Sequence, residues 1–275
     1  MPKVNPPTGF LARALARKRA EVERARHSRP AAELERLTDG RAPARSLASG
    51  LRGDGVSVIA EVKRSSPSAG PLDTAIDAPA RARLYEERGA AAVSVLTDAE
   101  FRGCLADLEA AVAAVSIPVL RKDFLVDSWQ VWESRAAGAD AALLIVAALA
   151  PREMEALVAE SARAGLGLLI EIHDRDEART AIDAGASVIG VNARSLSSLE
   201  VDVAAALATL AWLRRAAPDA VIVAESGIAD PEGIRRAGEA GADAVLVGEH
   251  LSRAKDPGGA LGRLVVAGRQ VGRSG

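Results

Sequence analysis

Three short apolar runs of the chain end in ionisable residues: Ile59-Ala60-Glu61-Val62-Lys63, Leu120-Arg121-Lys122-Asp123-Phe124 and Leu169-Ile170-Glu171-Ile172-His173. A lysine ammonium can give a proton to a carbonyl oxygen and a carboxylate can take one elsewhere, so lysines and glutamates set in apolar surroundings are equipment for general acid–base catalysis. Side chains alternate along an extended strand, which puts Glu61 and Lys63 on one face, and Asn192 and Arg194 on one face if their strand runs that far. Two later runs end Ala224-Glu225-Ser226-Gly227-Ile228 and Val247-Gly248-Glu249, where glycine lets backbone amides approach an anion such as phosphate. Any one of these charges is equally well explained by a salt bridge at a strand end, and the glycines by tight turns. Recurrence on several strands favours a shared site.

Such residues need a scaffold that gathers the ends of many strands at one place. Eight Val/Ile/Leu-rich runs, at 56–63, 91–98, 118–124, 141–146, 167–174, 188–193, 221–227 and 244–248, read as strands. Between them, segments such as 78–88, 151–164 and 231–240 carry helix formers, and the last two open with proline at a plausible first helical position. Gly89, Gly138, Gly165, Gly185 and Gly241 then stop the helices. Ala-Gly-Ala-Asp recurs at 137–140 and 240–243, and Ala-Gly-Ala-Ser stands at 184–187, as a repeating β-α unit requires. The pattern predicts an α/β fold, a (β/α)8 TIM barrel whose chemistry sits at the C-terminal ends of its strands. The rival, an open doubly wound sheet, usually has a Gly-rich phosphate fingerprint after its first strand, and Ser65-Ser66-Pro67-Ser68 is not one.

Residues 1–50 precede the first strand and read as a helical N-terminal extension, with a helix over 10–26, a break at Ser28-Arg29-Pro30 and a short helix over 31–37. Leu11, Leu15 and Val22 form an apolar stripe expected to pack over the catalytic mouth, although the opposite end of the barrel would bury it as well. A single domain over 1–275 accommodates all of this, with residues 268–275 expected to fray.

The 275 residues are 49% hydrophobic and 26% charged with a formal charge of −2, the balance of a globular protein with no electrostatic case for nucleic acid or anionic membrane. The basic stretch Arg13 to Arg26 is interrupted by Glu21 and Glu23 and reads as a solvated helix face. The single cysteine, Cys104, excludes an internal disulfide and a cysteine zinc cluster, fits a reducing compartment, and reads as a packing residue. The longest apolar run, Ala141 to Ala150, is about half a membrane crossing, and no apolar signal core is evident, so a cytoplasmic protein is expected. His27, His173 and His250 are too scattered for a metal site, and neither metal nor cofactor is expected; His173 reads as structural or solvent-facing.

In order, these motifs, together with Arg64-Ser65-Ser66-Pro67-Ser68, Ser94-Val95-Leu96-Thr97-Asp98 and Ile189-Gly190-Val191-Asn192, resemble those of the indole-3-glycerol phosphate synthases from about Phe10 to Leu251. The resemblance implies a carboxy-lyase of tryptophan biosynthesis. Such an enzyme closes the ring of 1-(2-carboxyphenylamino)-1-deoxyribulose 5-phosphate with loss of carbon dioxide and water. It further implies an active site of Glu61, Lys63, Lys122, Glu171, Asn192, Glu225 and Ser226. Ser66, Gly227, Gly248 and the backbone amide of Glu249 would stand near the phosphate, Arg194 beside Asn192, and Phe101 and Phe124 against the aromatic ring. Departures from the family pattern are Ala193 in place of Asn, Cys104 in place of Ser and Glu100 in place of an aromatic residue. None removes a proposed catalytic group.

On this reading Lys122 is the general acid, Lys63 holds the substrate carboxylate, Glu171 is the base for dehydration and Glu61 steadies Lys63. Mutual attraction keeps these lysines protonated and these carboxylates ionised without strong pKa perturbation. The partner is a phosphorylated small molecule, with the chain a monomer or weak homo-oligomer. Another phosphate-binding barrel, such as an isomerase of a phosphoribosyl compound, or a non-catalytic barrel, remains open at this point.

Overall fold

A computed structural model of the chain describes residues 7–272. The eight apolar runs are strands: β1 (Ser57–Val62), β2 (Ala92–Leu96), β3 (Val119–Lys122), β4 (Ala141–Ile145), β5 (Gly167–Ile172), β6 (Val188–Asn192), β7 (Val221–Glu225) and β8 (Ala244–Val247). All pair in parallel with their sequence neighbours, and β8 closes onto β1, making the closed barrel. β2, β4, β6, β7 and β8 are buried at every position, as strands covered on one side by helices and filled on the other must be. The register levels the polar strand ends: Leu96 lies opposite Lys122, Glu171 opposite Gly190, and Asn192 opposite Glu225.

Each strand is shorter at its polar end than the sequence suggests, because the ladder stops where the chain turns into the loops of the mouth. Lys63, Asp123, Phe124, His173, Arg194, Ser226 and Gly248 therefore stand on loops just past their strands. After β1 the loop folds into a small antiparallel hairpin in which Ser65–Ser66 pairs with Gly70–Pro71.

The outer layer is α4 (Ala78–Glu87), α5 (Leu105–Ala114), α6 (Ser128–Ala136), α7 (Pro151–Ala164), α8 (Arg175–Asp183), α9 (Val203–Ala216), α10 (Pro231–Glu239), α11 (Glu249–Arg253) and α12 (Pro257–Gln270). The five glycines read as helix stops all adopt positive φ, between 63° and 98°.

The N-terminal extension covers both ends of the barrel. α1 (Gly9–Ser28) crosses the mouth, where the amides of Phe10 and Leu11 donate to the carbonyls of Ser197 and Leu196 after β6. Leu11, Leu15 and Val22 are buried, as the stripe predicts. α2 (Ala31–Thr38) follows the expected break and packs on α6, while Trp129 of α6 donates to the Arg29 carbonyl at 2.7 Å. α3 (Leu47–Leu51) lies under the opposite end, with Gly50 against Pro118 and the carbonyl of Ala91.

Three expectations are corrected. The basic face of α1 is not wholly solvated: Lys18 is buried, its Nζ 2.8 Å from Asp98 Oδ2 and 2.9 Å from Asp123 Oδ1, because the loops after β2 and β3 present those carboxylates to the helix. Cys104 is exposed rather than packed and sits at the N-cap of α5, where its Sγ and backbone N–H both meet Asp107. A serine suits that position for the same reason, as a short polar side chain at a helix start. Residues 268–270 do not fray but end α12, and the Gly268 carbonyl accepts the Val56 amide at 3.0 Å; the last residues, 273–275, lie outside the described part.

Candidate active site

Strand alternation sends Arg121 outward and Lys122 inward. The Arg121 guanidinium is held outside the barrel by Asp123, Glu133, Thr97 and Ser134, whereas Lys122 lines a cavity of about 410 Å³ at the C-terminal mouth. Lys122 Nζ lies 3.2 Å from Glu171 Oε2 and 3.1 Å from Glu225 Oε2, so one ammonium joins carboxylates from two other strands, β5 and β7. Asn192 Nδ2 donates to Glu171 Oε1 at 3.0 Å. Across the cavity Lys63 Nζ stands 3.7 Å from Glu61 Oε1 and 5.5 Å over the Phe101 ring, so Glu61 and Lys63 share a face as alternation requires.

Two glycines make room for these acids. A Cβ on Gly248 would lie 2.1 Å from Glu61 Oε1, and one on Gly190 would lie 2.1 Å from Glu225 Oε1. Each carboxylate thus leans over a glycine of the neighbouring strand or its end. For Gly248 this adds a second demand to the approach of an anion, and the part played by Gly190 had no signal in the sequence beyond a small residue in a strand.

Of the residues proposed for the site, Glu61, Lys63, Ser66, Phe101, Lys122, Asn192, Arg194, Glu225, Ser226, Gly227, Gly248 and Glu249 line the cavity. Glu171 and Phe124 do not: both are buried just behind the wall, Glu171 touching Lys122 and Asn192, and Phe124 packed on Phe101 at 6.4 Å between centroids. The third phenylalanine of the chain, Phe10 of α1, completes an aromatic cluster and lines the cavity. Phe10, Arg253 and His250 were missed from the sequence. The only usable signals were the scarcity of phenylalanine and the four-residue spacing of Glu249 and Arg253.

Electrostatics divides the acids. Burial works against the charge of Lys122, but the attraction of Glu225, Glu171 and Glu61 outweighs it and holds the ammonium protonated well above the ordinary lysine range. Burial would likewise raise Glu171, yet Lys122, then His173 and the Asn192 hydrogen bond, bring it below the usual value. Glu225 goes the other way, pushed up to about 7 by burial and by repulsion from Glu171 and Glu61 despite the attraction of Lys122. Lys122 stays protonated and Glu171 ionised, as mutual attraction predicts, and the perturbed acid is Glu225, which that expectation did not cover and where three carboxylates crowd one ammonium.

At the other side of the cavity the chain turns sharply. Ser226 and Gly227 are both left-handed, with φ of 65° and 73°, and a Cβ on Gly227 would come 2.6 Å from Val203. α11 starts at Glu249 with no side-chain cap on its first amides. The Glu249 carboxylate is turned aside to Arg253 at 3.1 Å and Arg194 at 3.7 Å, and Arg194 also donates to Ser68 Oγ at 2.9 Å. Uncapped amides, glycines and two guanidiniums make this side suited to an anion. Among the described residues no group of His, Cys, Asp and Glu could hold a metal ion, and no helix is long and apolar enough to cross a membrane.

Fold and site together define a (β/α)8 barrel with a lysine–glutamate cluster at one side of its mouth and glycine turns beside two guanidiniums at the other. The family model of indole-3-glycerol phosphate synthase matches residues 11–264. The chain is 50% identical over 241 residues to indole-3-glycerol phosphate synthase 1 of Streptomyces coelicolor, covering 86% of this chain and 87% of that one. It is 51% identical over 231 residues to the indole-3-glycerol phosphate synthase of Streptomyces griseus, covering 83% and 84%. The chain belongs to the indole-3-glycerol phosphate synthase family. Solved structures at lower identity share the fold: 3-hexulose-6-phosphate synthase of Salmonella typhimurium, with TM-score 0.62 at 16% identity over 78% of this chain and 100% of that one, and thiamine phosphate pyrophosphorylase of Pyrococcus furiosus, with TM-score 0.61 at 18% over 82% and 99%.

Proposed function

We propose that this cavity converts 1-(2-carboxyphenylamino)-1-deoxyribulose 5-phosphate into indole-3-glycerol phosphate, carbon dioxide and water. The observation that carries the reading is Lys122, an ammonium on the cavity wall paired with Glu225 beside it and Glu171 behind it. The phosphate lies between the turns at Gly227 and Gly248, against the first amides of α11, with Ser66 and Arg194 beside it. The aryl ring lies toward Phe101 and Phe10, with Phe124 behind them. Lys63, between Phe101 and Glu61, holds the substrate carboxylate.

Ring closure joins the carboxylate-bearing ring carbon to the ketone carbon, and Lys122 gives its proton to the developing alkoxide. Loss of carbon dioxide returns the bonding electrons to the ring. Lys63, freed once the carboxylate has left as carbon dioxide, protonates the hydroxyl, which departs as water, and a base removes a proton from the former sugar carbon next to nitrogen to complete the indole. Glu171 is that base, acting beside Lys122. Glu225, poised near neutrality, restores the proton on Lys122. Asn192 and Ser226 hold Glu171 and the substrate in register.

We read the chain as one catalytic domain that works in the cytoplasm as a monomer or weak homo-oligomer without metal or cofactor. The test is a fluorescence assay for indole formation from the carboxyphenylamino substrate. The expected result is product at enzymatic rates, and folded protein that forms no product would overturn the reading.

A further inference from the structure

His173 stands just past β5, two residues after Glu171, and lines no part of the cavity. Its surroundings are built around it. The backbone N–H of His173 donates to Glu177 Oε2 at 2.7 Å, and the ring Nδ1 lies 3.1 Å from the same oxygen, so Glu177, in the first turn of α8, fixes the imidazole from outside the barrel. This leaves Nε2 buried, with no hydrogen-bond partner among the described residues, 3.8 Å from Glu171 Oε1. That carboxylate oxygen also accepts from Asn192, while Lys122 takes the other. Glu171 is therefore held from three directions: the cavity wall, the neighbouring strand, and His173 behind it.

We propose that His173 is a positioning residue for Glu171, anchored by Glu177, whose imidazole orients the carboxylate and supports its negative charge from the side away from the substrate. The inference rests on Glu171 being the base of the reaction proposed above. The groups that face His173 are Glu171 on its own strand, Glu177 on α8 and Glu225 on β7, with the neutral Asn192 on β6 and Lys122 on β3 beyond the carboxylates. Burial opposes the imidazolium, but the three glutamates outweigh it and raise its pKa. The imidazolium in turn stabilises ionised Glu171.

The test is His173→Gln, which keeps a polar side chain of similar reach but cannot carry the charge, together with Glu177→Gln, which removes the anchor. In His173→Gln kcat should fall by about tenfold while KM stays within about twofold, since the residue touches no substrate. The acid limb of the kcat profile should move to higher pH, because Glu171 without its neighbouring cation ionises less readily. Glu177→Gln should move it the same way by less. A folded His173→Gln protein with unchanged kcat and acid limb, or with a raised KM alone, would overturn the proposal. A second measurement needs no turnover. NMR titration of the three histidines should place the His173 pKa lower in Glu171→Gln than in the unchanged protein, and an unmoved titration would equally overturn the link. If the unchanged protein forms no indole, the functional reading fails on that result, while the NMR titration still decides whether His173 and Glu171 act as a unit.

Discussion

A carboxylate at a barrel mouth needs space as well as a counter-charge, and the space here comes from backbone. Gly248 leaves room for Glu61 and Gly190 for Glu225, each with 2.1 Å between the acid oxygen and where a Cβ would stand. Gly248→Ala should therefore displace Glu61 from Lys63 and lower kcat/KM by about 100-fold, the scale expected when a catalytic group moves by about an ångström. The urea midpoint should change little, because the clash falls on a side chain at the cavity wall. Unchanged kcat/KM in the folded variant would refute this account of Gly248. At this scale the sequence was partly readable: Glu61, Lys63, Lys122 and Glu225 end apolar runs and announce themselves. Gly190 does not, since a glycine in a strand looks the same whether it faces packing atoms or a neighbour's carboxylate. Glu171 was found, but its place behind Lys122 and Asn192 follows from the register of β5 against β6, which no local pattern encodes.

Among the elements, α1 carries the most that the sequence concealed. Its apolar stripe was legible from helical spacing, but that stripe would fit either end of the barrel, and the choice of the mouth is made by Lys18 against Asp98 and Asp123 and by Phe10 against Phe101 and Phe124. A lysine between arginines on an amphipathic helix reads as solvated because its counter-charges lie on loops about 80 and 100 residues away in sequence. The attraction is strong enough to hold Asp123 down to about 2, through Arg121 and Lys18, although burial would raise it. Removing one partner of such a buried set costs about 3–5 kcal/mol. Lys18→Met should lower the unfolding free energy by that order in urea titration at neutral pH. Because Asp123 ionises more readily folded than unfolded, its contribution is present above its unfolded pKa near 4 and is lost as pH falls toward 2, so the difference between Lys18→Met and the unchanged protein should shrink on acidification. Equal stability of the two at neutral pH would contradict the role given to Lys18. By contrast Phe10→Ala should raise KM more than it lowers stability, since Phe10 lines the cavity.

For the whole molecule, the β-α repeat was open to reading because five helices stop at a glycine of positive φ and five of the eight strands are buried at every position. The expected strands overrun their polar ends by one or two residues throughout, where polar residues belong to the mouth and not to the ladder. The barrel is shared with proteins of 16–18% identity that carry other names, so the scaffold does not specify the reaction; the constellation at its mouth does. The central claim is that Lys122 begins the chemistry and Glu171 finishes it. A single-turnover experiment that follows substrate, carbon dioxide and indole together in Lys122→Met and Glu171→Gln tests it most directly. Lys122→Met should slow substrate consumption itself, by about 10² to 10⁴-fold, since protonation of the carbonyl oxygen precedes every later step. Glu171→Gln should release carbon dioxide early and form indole late. Near-normal turnover in Lys122→Met, or equal slowing of carbon dioxide and indole in Glu171→Gln, would contradict it.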